Sequence, residues 1–295
     1  MTAFELCLVL ASALLHAVWS ATIKGSRDPL VFNFYQGGVT LALSAVVLPL
    51  LDFSEISAPV WRWLCVTAVA HALYFYWLTR AFEHGDLTLV YPIARSTPAF
   101  LPLLAVPILG ERLSPGGLVG IGVVVAGMWL VQVGPALRWS AFRSPAARYA
   151  GLTLAATVVY GLADKAAMTE LTQGGWSSAA PRFVAWYALL SLSSLMLFSP
   201  AVIWQRGAST VWRGARANLI PASLVSGLSV VGYGLILKAL ETAPASYVVA
   251  VRQSSVFFVL VIGVVKLRET PGRTRVLGAV TTVLGVALIA AFGGP

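Results

Sequence analysis

Tyr91-Pro92-Ile93-Ala94-Arg95 sits in the middle of one long apolar stretch, and Val248-Val249-Ala250-Val251-Arg252 in the middle of another. Working outward, the flanks also match. Arg80-Ala81-Phe82-Glu83 precedes the first segment and Gly110-Glu111-Arg112 follows it. Lys238-Ala239-Leu240-Glu241 precedes the second and Arg268-Glu269-Thr270 follows it. A guanidinium placed mid-helix in hydrocarbon costs about 2.5–3.5 kcal/mol on insertion scales. A chain that carries this cost twice, at equivalent positions, has a use for both charges.

The rest of the sequence agrees that lipid is the main solvent. Of its 295 residues 58% are apolar and only 11% charged, with a mean hydropathy of +0.84. Soluble domains carry about 25% charged residues. The net charge of +9 does not indicate nucleic acid, because the basic residues lie in short connectors, where they orient membrane proteins. Ten stretches have the length of a membrane span: 3–22, 30–51, 62–82, 87–108, 115–134, 149–168, 179–200, 217–240, 244–265 and 273–293. Residues 3–22 are too long for a signal-peptide core and read as the first span. Only helices or closed barrels satisfy a backbone in lipid, so the expected fold class is all-α integral membrane.

The ten spans divide into two sets of five: residues 1–134, a connecting loop at 135–148, and residues 149–295. Trp19 and Lys24 in the first set match Tyr160 and Lys165 in the second. Glu111, Gly120 and Gly127 have the same spacing as Glu269, Gly278 and Gly285. Five is odd, so the second set enters the membrane in the opposite sense. The expectation is ten transmembrane helices as two inverted five-helix repeats around a central cavity. The connectors after odd-numbered spans hold thirteen Lys and Arg residues against five in the alternate set, which puts both termini outside the cytoplasm.

Several residues are candidates for a solute site. Arg95 and Arg252, brought together by the repeat, suit a carboxylate, phosphonate or phosphate group, or the acidic end of a zwitterion. Tyr91 shares a helix face with Arg95, and Pro92 should disturb the helix there. Ser96 and Gln253 extend the two polar stretches. His71, Trp19 and Tyr160 are candidate wall residues. Asp164, four residues after Tyr160, is a candidate for proton coupling or a counter-ion, unless it snorkels to the interface. Glu111 and Glu269 read as helix caps or turn salt bridges. The glycines read as packing surfaces, within the bundle or between subunits of a homodimer. Cys7 and Cys65 read as small buried hydrophobes. No metal spacing, phosphate loop or nucleophile elbow is present, so no catalytic residue, metal or cofactor is expected and ATP is not the direct energy source.

These features resemble the drug/metabolite transporter superfamily, EamA-type. The resemblance is carried by Ala17-Val18-Trp19 with Lys24, Tyr91 to Arg95, Leu109-Gly110-Glu111-Arg112-Leu113-Ser114, Leu267-Arg268-Glu269, and the glycines at 120, 127, 278 and 285. It implies a ten-helix, alternating-access transporter of small metabolites in a bacterial inner membrane, as a monomer or homodimer. His16-Ala17-Val18-Trp19 with Tyr91 to Arg95 also resembles a branch associated with phosphonate utilisation. Two other classes compete. Efflux of lipophilic cations would want a membrane-embedded carboxylate, where this chain offers mainly arginines. A lipid-modifying membrane enzyme would want convergent acid–base groups at one membrane face.

Overall fold

The computed structural model describes residues 1–23, 28–85, 87–132, 142–268 and 270–294. Side chains at 19–23, 29, 87, 88, 216, 217, 266 and 267 also lie outside the description. So do Lys24 and Glu269, which the sequence singled out, and Arg27 and Arg138, two of the thirteen connector cations.

Among the described residues all regular structure is helical. The first repeat contains α1 (Ala3–Ile23), α2 (Pro29–Ala45), α3 (Ala58–His84), α4 (Leu87–Ala94), α5 (Thr97–Leu109) and α6 (Pro115–Gln132). The second contains α7 (Pro145–Gln173), α8 (Arg182–Arg206), the short α9 (Ala208–Arg213), α10 (Ala215–Leu240), α11 (Ala245–Arg252), α12 (Ser255–Leu267) and α13 (Arg273–Phe292). Local chemistry starts these helices. Thr2 and Glu5 form a reciprocal box at α1, Thr2 N–H donating to Glu5 at 2.6 Å and Glu5 N–H to the Thr2 hydroxyl at 3.2 Å. Asp28 caps α2 by accepting from the Leu30 and Val31 amides, with Pro29 in the first turn.

Among the described residues, seven segments are long and apolar enough to cross a bilayer: Leu30–Leu50, Leu89–Leu109, Pro115–Gln132, Arg182–Arg206, Asn218–Leu240, Ala245–Val265 and Arg273–Phe292. In α1 the described apolar part is shorter, Ala3–Val18. Helices α3 and α7 are long enough but more polar, because they carry His71, Thr67, Asp164 and Lys165. They pack along each other, so these groups face protein rather than lipid.

The packing is exchanged between the halves. α3 lies along α7 and α1 along α10, α2 meets α8, and α6 meets α13. Gly127 touches α13 so closely that a Cβ would sit 2.7 Å from the Gly278 carbonyl oxygen. One on Gly285 would sit 2.8 Å from the Gly120 oxygen. These glycines therefore pack inside the bundle. Cys7 and Cys65, expected to be buried, are exposed. An apolar thiol loses nothing by facing lipid, so hydrophobicity alone did not place it.

Contacts between connectors gather at two ends. At one end Met1 meets Gly293, Glu5 meets Thr242, Glu55 meets Ser177 and Ser178, and Glu111 meets Ala245 and Ser246. At the other, Arg206 meets Asp28 and Glu83, and Gly85 abuts Ala146.

Candidate functional site

Two of the apolar segments are broken, and each break falls at one of the arginines. α4 ends at Ala94, just before Arg95, and α5 restarts at Thr97. α11 ends at Arg252 and α12 restarts at Ser255. A helix C-terminus carries partial negative charge, so it is a favourable place for a guanidinium. Proline is not the common cause. Pro92 lies one turn before the first break, while the second has only the polar run Gln253-Ser254-Ser255. Ser96 donates back to the Pro92 carbonyl at 2.6 Å, and Gln253 donates back to the Val249 carbonyl over a long 3.5 Å. Ser96 also accepts from the Trp129 indole at 3.0 Å. Neither Ser96 nor Gln253 lines the cavity. They support the breaks.

Glu111 holds the second break from a distance. Its carboxylate accepts from the Ala245 and Ser246 amides and from the Ser246 hydroxyl. It thus caps α11, whose other end bears Arg252, instead of its own neighbour α6.

The cavity, about 190 Å³, lies between both halves. His16 of α1, His71 and Tyr74 of α3, Tyr160 of α7, Tyr233 of α10 and Arg252 form its charged and aromatic part. Asn33, Gln36 and Thr40 of α2, Ser191 and Ser194 of α8, and Ser229 of α10 supply neutral polar groups. No Asp or Glu is on the described wall. A larger groove, about 360 Å³, lies against α2, α8 and α9 but is lined by Phe34, Val39, Ala42, Ile203, Trp212 and similar residues. It offers no charge.

Of the expected site residues, Arg252, His71 and Tyr160 line the cavity. The guanidinium of Arg252 lies 5.5 Å from the Tyr233 ring centre, and His71 stacks on Tyr160 at 4.1 Å. Arg95 stands behind the wall. It donates to His16 Nε2 at 3.1 Å and lies 5.2 Å from the ring centre of Tyr91, which is also off the wall. Neither arginine has a carboxylate within salt-bridge range among the described residues. The Trp19 side chain is outside the described residues.

Asp164 does not snorkel. It is fully buried and accepts from the Thr67 hydroxyl at 2.7 Å, the Trp186 indole at 3.2 Å and the Tyr233 hydroxyl. Thr67 also links it to His71, whose Nδ1 is 3.0 Å from the Thr67 carbonyl. A carbonyl only accepts, so Nδ1 carries the hydrogen.

The sequence matches the model of the EamA-like transporter family over residues 3–133 and again over 150–291. The chain belongs to that family. It is therefore a multi-pass membrane transporter built from two family units. One solved structure, titled only "Crystal structure of protein", is similar to this EamA-like transporter at 16% identity, covering 98% of this chain and 97% of its own, with a TM-score of 0.68. At that identity the likeness concerns the fold. No curated protein matches the sequence.

Sequence reading missed His16 and the neutral polar wall of this EamA-like transporter. A signal was present. Asn33, Gln36 and Thr40, and Tyr187, Ser191 and Ser194, form polar stripes of helical period on apolar spans. The Arg95–His16 contact joins positions 79 residues apart, and no local pattern announces it.

Proposed function

We propose that this EamA-like transporter is a secondary transporter, an exporter or exchanger, of a small anionic or zwitterionic metabolite, working by alternating access. The observation that carries this reading is Arg252, on the wall of a cavity with no acidic lining among the described residues. Arg95 and Arg252 against Asp164 leave one surplus positive charge when the histidines are neutral. A guanidinium without an acidic partner at membrane depth is costly, and a solute carboxylate or phosphonate supplies it a partner. The absence of acid from the described wall argues against lipophilic cations, and the neutral polar groups of α2, α8 and α10 suit hydroxyl or amide groups on the solute body.

Ten membrane crossings as two inverted repeats, 1–134 and 149–295 joined by 135–148, fit the exchanged helix packing and the sorting of connectors into two ends. The arginine-rich end, which includes Arg206 and Arg213, faces the cytoplasm of a bacterial cell and the termini face away. Asp164 serves as the fixed counter-charge beside the site, with His71 joined to it through Thr67.

Purified protein in liposomes should accumulate labelled carboxylates or phosphonates, and the bound solute should raise the melting point. Arg252→Ala should lower transport at least about tenfold, the effect of about 1.4 kcal/mol of lost binding. Unchanged transport in the double variant Arg95→Ala, Arg252→Ala would remove this mechanism.

A further inference from the structure

The contact between Arg95 and His16 constrains protonation. An arginine side chain has only donors, so His16 Nε2 must accept from it at 3.1 Å through its lone pair. That lone pair is also where His16 would take a proton. The bond to Arg95 and protonation of Nε2 are mutually exclusive. His16 stands on the cavity wall and Arg95 behind it, so an anion approaching Arg95 from the cavity meets His16 and this bond first.

From this geometry we infer that His16 is a proton-binding site coupled to the solute: an anion drawing Arg95 away from His16 lets Nε2 take one proton, so anion and proton are carried together. This rests on the anion reading above. The step balances. Arg95 stays protonated and moves one N–H from His16 Nε2 to an anion oxygen. Water on the cavity side delivers a proton to the freed Nε2. One negative and one positive charge enter, and the surplus charge of the site does not change.

The groups around His16 fit this exchange. Arg95 at the end of α4 bonds His16 directly, and Arg252 of α11 lines the same cavity. Tyr233 of α10, Tyr74 and His71 of α3, and Tyr160 of α7 share the same cavity. On α12, which packs along α1, the ionisable residue is Lys266, whose side chain is outside the described residues. His71 differs from His16 in that its Nδ1 bond to Thr67 survives protonation at Nε2. No such exclusion operates there.

Glycolate and 4-hydroxybenzoate serve as probes, because their carboxylates stay ionised from about pH 5.5 to about pH 8. One proton bound with each anion makes the wild-type Kd rise about tenfold per pH unit where free His16 is neutral. His16→Gln keeps an acceptor for Arg95 but cannot take a proton, so its Kd should be flat with pH. Adding either probe to wild-type protein in weakly buffered solution should also withdraw about one proton per anion bound, which needs no variant. A flat wild-type profile, no proton withdrawal, or a full slope retained in His16→Gln overturns the coupling and leaves the anion reading standing. Failure of both probes to bind wild type at any pH sinks both.

Discussion

Asp164 shows how much a single residue can hold in a membrane protein. It ties Thr67 of α3, Trp186 of α8 and Tyr233 of α10 to α7. Asp164→Ala leaves these donors without an acceptor, and buried unsatisfied groups cost about 1–3 kcal/mol each. Some relief by water from the cavity brings the expected loss to roughly 2–4 kcal/mol, read as a lower melting temperature in detergent. Asp164→Asn should behave differently. Its Oδ1 can still accept from Thr67 and Trp186, and the Tyr233 hydroxyl can turn to accept from its amide. The fold should survive, but the site gains one net positive charge. Anion binding should tighten and become more salt-sensitive. An Asn variant that melts as early as the Ala variant would contradict this account. The sequence made Asp164 visible as a charge in an apolar helix, but not its donors, which come from three other helices. Arg95 and Arg252 were legible because the halves could be compared with each other. His16 was not, since its partner Arg95 is in another helix, 79 residues away.

At the scale of the helix, the two repeats meet the same backbone demand with different residues. α5 ends on Gly110 at φ +67° and α12 ends on Arg268 at φ +54°. The left-handed region suits glycine and strains a residue with a Cβ. Arg268→Gly should therefore stabilise the protein by up to about 1 kcal/mol, measured as a raised melting temperature, with transport unchanged. The sequence exposed the mismatch between Gly110 and Arg268, while the shared conformation appears only in three dimensions. The contact of α6 with α13 makes a stronger demand. A Cβ on Gly127 meets Thr282 and Gly278 backbone atoms, whereas one on Gly122 meets nothing within 4 Å. Gly127→Ala should destabilise by about 1–3 kcal/mol through overpacking. Gly122→Ala should be neutral or stabilise by up to about 1 kcal/mol from helix propensity. Equal effects at the two positions would mean that close approach does not govern this interface. Spacing alone grouped the glycines on their helices but left open which surface they meet, because a helix within the bundle and a second subunit demand the same small residues.

The two ends of the whole molecule are tied by different chemistry, and this sets which end responds to salt and which to acid. At one end Arg206 bridges Asp28 at 2.9 Å and Glu83 at 3.0 Å, all three side chains about a third exposed. Exposed pairs of this kind contribute about 0–1 kcal/mol each and are screened by salt. At the other end Glu55 accepts from the hydroxyls and amides of Ser177 and Ser178, which lower its carboxyl pKa to about 2. A carboxyl held below its unfolded value stabilises the folded state above that value and loses the contribution as pH falls through the folded one. The Glu55 clasp thus holds at neutral pH and fades only between about pH 4.5 and about pH 2. The Arg206 end is the one that should yield under mild conditions, and Asn33, Phe75 and Phe198 carry the cavity wall toward it. With Cys7→Ser and Cys65→Ser as background, a Ser194→Cys reporter in the cavity can be labelled by a charged thiol reagent. Arg206→Ala should speed its labelling about fivefold, the effect of about 1 kcal/mol, and about 0.5 M salt should do much of the same to the parent protein. Glu55→Gln at neutral pH should not speed labelling through the Arg206 end. Labelling indifferent to both Arg206→Ala and salt would show that these ion pairs do not hold that end shut, and that the apolar cluster of Leu30, Phe32, Phe198 and Val202 beneath them closes it alone.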